Sequence, residues 1–265
     1  MNLSEKIILL TGASTGIGNA LIHELFKHGA KVALVARRIE LIEKTVTENN
    51  YPWEKYLILK CDVSKKEEVA SAYEKVKVRF GKIDIAILNA GVSARMPIEK
   101  YNSELAERTF GANVLGVVYW IEQLLPDFIQ RSNGMIVGVS SLADNRGYSG
   151  SSFYSGSKAA LSKLLEGLRV ELNPYNIKVL TVKPGFVKSP MTDKNEFYMP
   201  FLQPVDKAAK IIVRGIQKEK RLIHFPLRMV ALTRLIGLLP DRIYEYFAVK
   251  TQAKMKKLYS DRDRK

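Results

Sequence analysis

The sequence predicts an α/β fold, a doubly wound parallel sheet with helices on both faces. Two observations lead there. Short apolar runs rich in Ile, Val and Leu recur at residues 6–10, 31–36, 56–60, 83–88, 134–139 and 177–182. Each has the length and composition of a strand buried on both faces. Segments of helical period lie between them, and that alternation implies right-handed βαβ units. The length, 265 residues, suits one domain that can bury its core without cross-links.

The first run leads into a glycine-rich segment, after which a helix opens. Val69, Ala72, Tyr73, Val76 and Phe80 fall on one helix face. Ser64 with Glu67 reads as the capping box of that helix, and Gly81 as its stop. Leu161, Leu164, Leu165, Leu168 and Leu172 form a second apolar face, closed by Pro174. Residues 221–225 read as a last strand, and 226–239 and 241–258 as two helices joined at Pro240. Residues 221–265 carry eleven Lys or Arg against four Asp or Glu, a net +7. A basic apolar helix pair of this kind suits an anionic membrane surface, a cover over a site, or an oligomer interface.

Composition narrows the function classes. At 46% apolar residues the chain is not broadly disordered. Cys61 is the only cysteine, which excludes a disulfide scaffold and a finger-type zinc site. His23, His28 and His224 lack ligand-like spacing, so no metal is expected. A lone cysteine fits a reducing, cytoplasmic compartment. The net charge of +15 admits an anionic lipid surface, an acidic substrate or plain solubility. Nucleic acid is not expected, because no recognised module accompanies the charge. Glu5 beside Lys6 and the short run at 7–10 do not make a secretory signal. No run reaches the ~18 apolar residues of a spanning helix. The nearest, 222–239, is interrupted by Arg228 and Arg234.

The glycine-rich segment is Thr11-Gly12-Ala13-Ser14-Thr15-Gly16-Ile17-Gly18. Glycines let the backbone turn tightly and approach a pyrophosphate, and the helix start offers unpaired N–H groups to that anion. The spacing is G-x-x-x-G-x-G, and it resembles that of the short-chain dehydrogenase/reductase family. Four further segments agree in order. They are Asn89-Ala90-Gly91, Asn113, Ser141 thirteen residues before Tyr154-Ser155-Gly156-Ser157-Lys158, and Pro184-Gly185-Phe186-Val187. The resemblance covers about 1–220 and implies a Rossmann-like catalytic domain over 1–225. The basic extension, 226–265, is then expected to pack on the same domain.

The resemblance implies that Gly12, Ser14, Thr15, Gly16, Ile17 and Gly18 hold the cofactor phosphates. It places Asp62 and Val63 at the adenine and Asn89, Ala90 and Gly91 at the adenosine ribose. Pro184, Gly185, Val187 and Ser189 follow strand six near the nicotinamide; Ser189 stands where the family more often has Thr. Cofactor choice has a physical argument. An NAD binder places Asp or Glu at the end of strand two, on the ribose 2′-hydroxyl. Here that position is Ala36, followed by Arg37 and Arg38. Two guanidinium groups can pair with a phosphate, and unpaired cations are unfavourable at a helix start. NADP(H) is therefore expected over NAD(H).

Tyr154 and Lys158 are four apart, on one helix face. A nearby ammonium favours phenolate and is expected to lower the tyrosine pKa. Tyr154 then exchanges a proton with a substrate oxygen while hydride moves at the nicotinamide. Ser141 would hold that oxygen, the thirteen-residue spacing selecting it over Ser140. The resemblance implies that Asn113 kinks its helix and holds a water linked to Lys158. Residues 190–204 show no period but hold Phe197, Tyr198, Met199 and Phe201; they resemble the family's substrate lid and suggest an apolar substrate. The expected activity is NADP(H)-dependent interconversion of a hydrophobic, lipid-like ketone and its secondary alcohol. Epimerisation or dehydration through a keto intermediate, a redox-sensing regulator that binds nucleotide without turnover, and a membrane-surface protein are the competing readings. The resemblance also implies a homodimer or homotetramer.

Overall fold

The structure, a computed structural model, describes residues 1–93, 98–193, 195 and 197–262, with side chains to Gln252. The elements run β1 (Ile7–Thr11), α1 (Gly16–Lys27), β2 (Lys31–Ala36), α2 (Ile39–Glu48), β3 (Tyr56–Lys60) and α3 (Lys66–Phe80). Then come β4 (Ile85–Leu88), α4 (Ser103–Phe110), α5 (Gly116–Gln130), β5 (Gly134–Val139) and α6 (Ser152–Glu171). The chain continues through β6 (Ile177–Pro184), α7 (Val205–Gln217), β7 (Leu222–Phe225), α8 (Leu227–Leu238) and α9 (Asp241–Arg262).

The seven strands form one parallel sheet in the order β3-β2-β1-β4-β5-β6-β7. Strands β1 to β6 feed both faces, and β7 only one. Ile8 and Leu10 of β1 join a core with α1, α2 and α7, where Leu21, Ile22, Leu25, Ile42 and Ile212 are buried. Leu9 points the other way, into a core with Val69, Val76, Trp120, Phe128 and Leu165 from α3, α5 and α6. That alternation explains why the strands read as continuous apolar runs. Sheet order reverses between β1 and β4, so a crevice opens beyond their carboxyl ends.

Two local expectations are corrected. The Ser64–Glu67 capping box does not form. Helix α3 begins at Lys66, and no side chain among the described residues caps it at Lys65. Ser64 instead donates its N–H and hydroxyl to Asp62 Oδ1, at 3.0 and 2.8 Å. The 83–88 strand is shorter than expected. β4 starts at Ile85; just before it the Asp84 backbone still bonds Ile7 and Met135, and its side chain accepts the Ile7 N–H at 2.9 Å, with Lys82 Nζ 3.0 Å away.

Helix α8 buries Val230 and Thr233. The loop after β5 holds the same helix through its backbone carbonyls. Asn145 donates to the Thr233 carbonyl at 2.5 Å. Arg146 reaches the carbonyls of Ile236, Gly237 and Leu239 at the helix end and pairs with Asp241. Its guanidinium lies 5.0 Å from the Tyr244 ring centroid, and the Tyr244 hydroxyl donates to the Gly147 carbonyl at 2.7 Å.

Candidate active site

The crevice continues into a cavity of about 620 Å³. At the β1 end, Gly12 has φ +69°, and a Cβ there would stand 2.8 Å from Ala90 Cα. A Cβ on Gly18 would fall 2.0 Å from the Gly12 carbonyl oxygen, so only glycine lets α1 start against this loop. Thr11 ties the two loops together: its hydroxyl accepts the N–H groups of Asn89 and Ala90, each at 3.0 Å. The Asn89 side-chain amide donates to the Thr11 and Gly12 carbonyls at 3.1 and 3.3 Å. No side chain among the described residues caps α1 at Thr15. Its first-turn N–H groups thus face the crevice, as a pyrophosphate requires. The residues present fit a dinucleotide at this end.

Ser14, Thr15, Gly16, Ile17, Arg37, Arg38, Asp62 and Val63 line the same cavity. Both arginines already have partners. Arg37 Nη1 lies 3.6 Å from Asp62 Oδ2, and Arg38 donates to the Thr15 hydroxyl at 3.4 Å. Burial alone would raise the Asp62 carboxyl. The hydrogen bonds from Ser64 and the Arg37 guanidinium outweigh it and hold the pKa low. Both arginine heads remain at the rim, just before α2 begins.

At the other end Ser141, Tyr154 and Lys158 line the cavity together with Asn89, Ala90, Gly91, Pro184, Gly185, Val187 and Ser189. Lys158 Nζ donates to the Val139 carbonyl at 2.9 Å and lies 5.8 Å from the Tyr154 ring centroid. Burial pushes this ammonium down to about 8. The Tyr154 phenol moves opposite to expectation. Burial raises its pKa, the Ser141 hydrogen bond works against that, and the Asp144 charge adds to it. Desolvation of the phenolate outweighs the favourable contact.

Ser140, the competitor of Ser141, donates to the Lys158 carbonyl at 2.9 Å. Asn113 sits in a π-helical turn, Gly111–Leu115, between α4 and α5. Its Oδ1 accepts the Val92 N–H at 2.8 Å, and its amide donates to Val92 O and Ser157 Oγ at 3.0 and 2.9 Å. A Cβ on Gly91 would lie 3.0 Å from Asn113 Oδ1 and 3.4 Å from Lys158 Nζ. Asn113 therefore stands behind Gly91 and beside Lys158, outside the cavity lining. Gly18 also lies outside it.

A profile of the family described as short chain dehydrogenase matches residues 6–197. The chain belongs to the short-chain dehydrogenase family. An uncharacterized oxidoreductase of Myxococcus xanthus is 32% identical over 243 residues, covering 92% of this chain and 96% of that protein. A 3-ketoacyl-(acyl-carrier-protein) reductase of Brucella melitensis complexed with NADH superposes with a TM-score of 0.76 at 26% identity, covering 84% of this chain and 96% of that one. A short chain dehydrogenase/reductase of Burkholderia phymatum in complex with NAD has a TM-score of 0.80 at 21% identity, over 89% and 94% of the two chains; that likeness is one of fold. As a short-chain dehydrogenase, the protein is an NAD(P)-dependent oxidoreductase.

Sequence reasoning missed several residues of this short-chain dehydrogenase site. Asp144, whose charge acts on Tyr154, has a side chain only 7% exposed, paired with Lys183 Nζ at 2.6 Å and accepting from Ser162. Thr192 accepts the Ser189 N–H at 2.9 Å and donates to the Val187 carbonyl at 2.8 Å, so it holds the turn after β6. Phe186 meets Phe197 edge-on, ring centroids 5.8 Å apart. Met229 and Thr233 of α8 complete the wall. The signal for Thr192 was its place three residues after Ser189. Met229 and Thr233 carried no local signal.

Proposed function

We propose that this short-chain dehydrogenase uses NADP(H) to interconvert a hydrophobic, lipid-like ketone and its secondary alcohol. The observation that carries the reading is Tyr154, with Ser141 and Lys158, on the wall of a cavity whose far end is built from Phe186, Phe197, Met191 and Met229. A bound nicotinamide supplies or accepts the hydride. Ser141 holds the substrate oxygen in line. Tyr154 Oη gives its proton to that oxygen in reduction and takes one back in oxidation. Burial, which raises the phenol pKa, keeps that proton on Tyr154 Oη ready for donation. Lys158 holds the nicotinamide ribose, and Asn113 steadies the turn behind it.

Ala36 leaves the end of β2 without a carboxylate, and Arg37 and Arg38 stand at the rim beside it. Arg37 can exchange the long contact to Asp62 for a charge-assisted pair with a 2′-phosphate. The Brucella protein's 3-ketoacyl substrate is itself a ketone on an acyl chain, which supports the substrate class. The working form is read as a cytoplasmic homo-oligomer whose basic C-terminal helices offer a peripheral membrane contact. The test is NADPH oxidation against ketones graded by chain length. Rates that rise with chain length support the reading. Tight NADPH binding with no turnover of any ketone overturns it in favour of a nucleotide-binding regulator.

A further inference from the structure

We infer that the outer face of α8, continued by α9, seats on an anionic lipid bilayer and places the substrate end of the cavity against it. Helix α8 has two opposed arcs. On the inner arc Val230 and Thr233 are buried, and Met229 and Thr233 form part of the cavity wall. The helical period puts Leu227, Leu235 and Leu238 on the opposite arc. They are 73%, 65% and 81% exposed, with Arg228 and Arg234 exposed among them. Leucines gathered on one helix face mark an interaction surface, unlike single scattered ones. Helix α9 repeats the arrangement: Ile243, Tyr246 and Phe247 are exposed on the face that carries Lys250. Its other side is held inward by Tyr244.

Charge selects the occupant. No Asp or Glu occurs from residue 221 to 240, and Asp241 is neutralised by Arg146. Leucines at the acyl boundary with cations at headgroup level are what an interfacial helix needs. A second copy fits poorly, because a two-fold contact would set this cationic face against itself. No helix among the described residues is long and apolar enough to cross a membrane, so the contact lies along the surface. Because α8 is also the cavity wall, a substrate dissolved in the bilayer reaches Tyr154 past this one helix. That last step rests on the hydrophobic-ketone reading; the docking does not.

The test is co-sedimentation of the full chain with vesicles of about two parts phosphatidylcholine to one part phosphatidylserine. The expected result is sedimentation at low salt, loss in high salt, and at least roughly tenfold weaker binding to pure phosphatidylcholine. The triple variant Leu227→Ser/Leu235→Ser/Leu238→Ser should stay in the supernatant while oxidising NADPH normally with a short, water-soluble ketone. Wild-type protein that stays in the supernatant with anionic vesicles overturns the inference. So does a triple variant that sediments like the wild type, or one that changes oligomeric state with unaltered vesicle binding. Vesicle binding without turnover of any ketone would leave the docking intact and remove only the substrate reading.

Discussion

Tyr154 carries the proton in the proposed chemistry, so Tyr154→Phe should cost about 10²–10⁴-fold or more in kcat. NADPH affinity should stay nearly constant, and steady-state rates with a fluorescence titration check both halves. The alternative donor, Tyr148, is poorly placed: burial pushes its phenol up to about 12, and its hydroxyl is spent on Asn145 at 3.0 Å. Asp144 gives a sharper test. Its charge raises the Tyr154 pKa, so Asp144→Asn removes an anion and should lower it. Reduction needs the protonated phenol, whose population falls as pH rises through its pKa. The alkaline limb of the kcat profile should therefore move to lower pH in Asp144→Asn. A limb that stays put or moves up would refute the assignment. At the cofactor end, Arg37→Ala should weaken NADPH by about 1.5–3 kcal/mol, roughly ten- to a hundredfold, with NADH little changed. Equal affinity of the unaltered protein for both cofactors would sink the phosphate argument. The Tyr–Lys pair was legible because four residues on a helix fix a shared face. Asp144 was not, since its partners Ser162 and Lys183 lie on other elements and meet it only in the fold.

Helices α8 and α9 show where legibility stops at the scale of elements. Their existence follows from apolar content around Pro240, and the structure gives Leu227–Leu238 and Asp241–Arg262. Their docking does not follow, because Arg146 binds backbone carbonyls, which every residue type offers. The error at Ser64 has the same root: a hydroxyl beside Asp62 found a nearer acceptor than the helix start. Arg146 satisfies several orphan carbonyls at the end of α8, as the last turn of a helix requires. Arg146→Ala should thus lower stability by about 1.5–3 kcal/mol. At roughly 2–4 °C per kcal/mol for a chain of this size, a melting curve will resolve it. Since α8 also forms the cavity wall, KM for a bulky ketone should rise while NADPH affinity holds. An unchanged Tm would show that the clamp contributes nothing.

The whole molecule gathers its site from six segments because all seven strands are parallel, so their carboxyl ends emerge on one side of the sheet. Thr11, Ala36, Cys61, Asn89, Ser140 and Gly185 each stand at or just beyond a strand end. Strand alternation predicted the parallel sheet, and the family resemblance, not the pattern alone, assigned the residues at the strand ends to one site. What the pattern could not supply was the cover over the far end, since Met229 arrives from a helix beyond the last strand. On the proposed reading, the same geometry would make the cofactor a clasp across the sheet. A ligand spanning β3 to β6 binds only the folded state and must raise its stability by mass action. At a free concentration a hundred times Kd the gain is about 2.7 kcal/mol, or roughly 5–10 °C in Tm. NADPH should produce that shift, and NADH at the same concentration a smaller one. Arg37→Ala should bring the two shifts together. The Leu227→Ser/Leu235→Ser/Leu238→Ser variant should keep the full NADPH shift, because its altered side chains face away from the cavity. Differential scanning fluorimetry across a cofactor titration reads all four cases. Identical shifts for NADPH and NADH in the unaltered protein would mean that Arg37 stays with Asp62 and makes no pair with a 2′-phosphate.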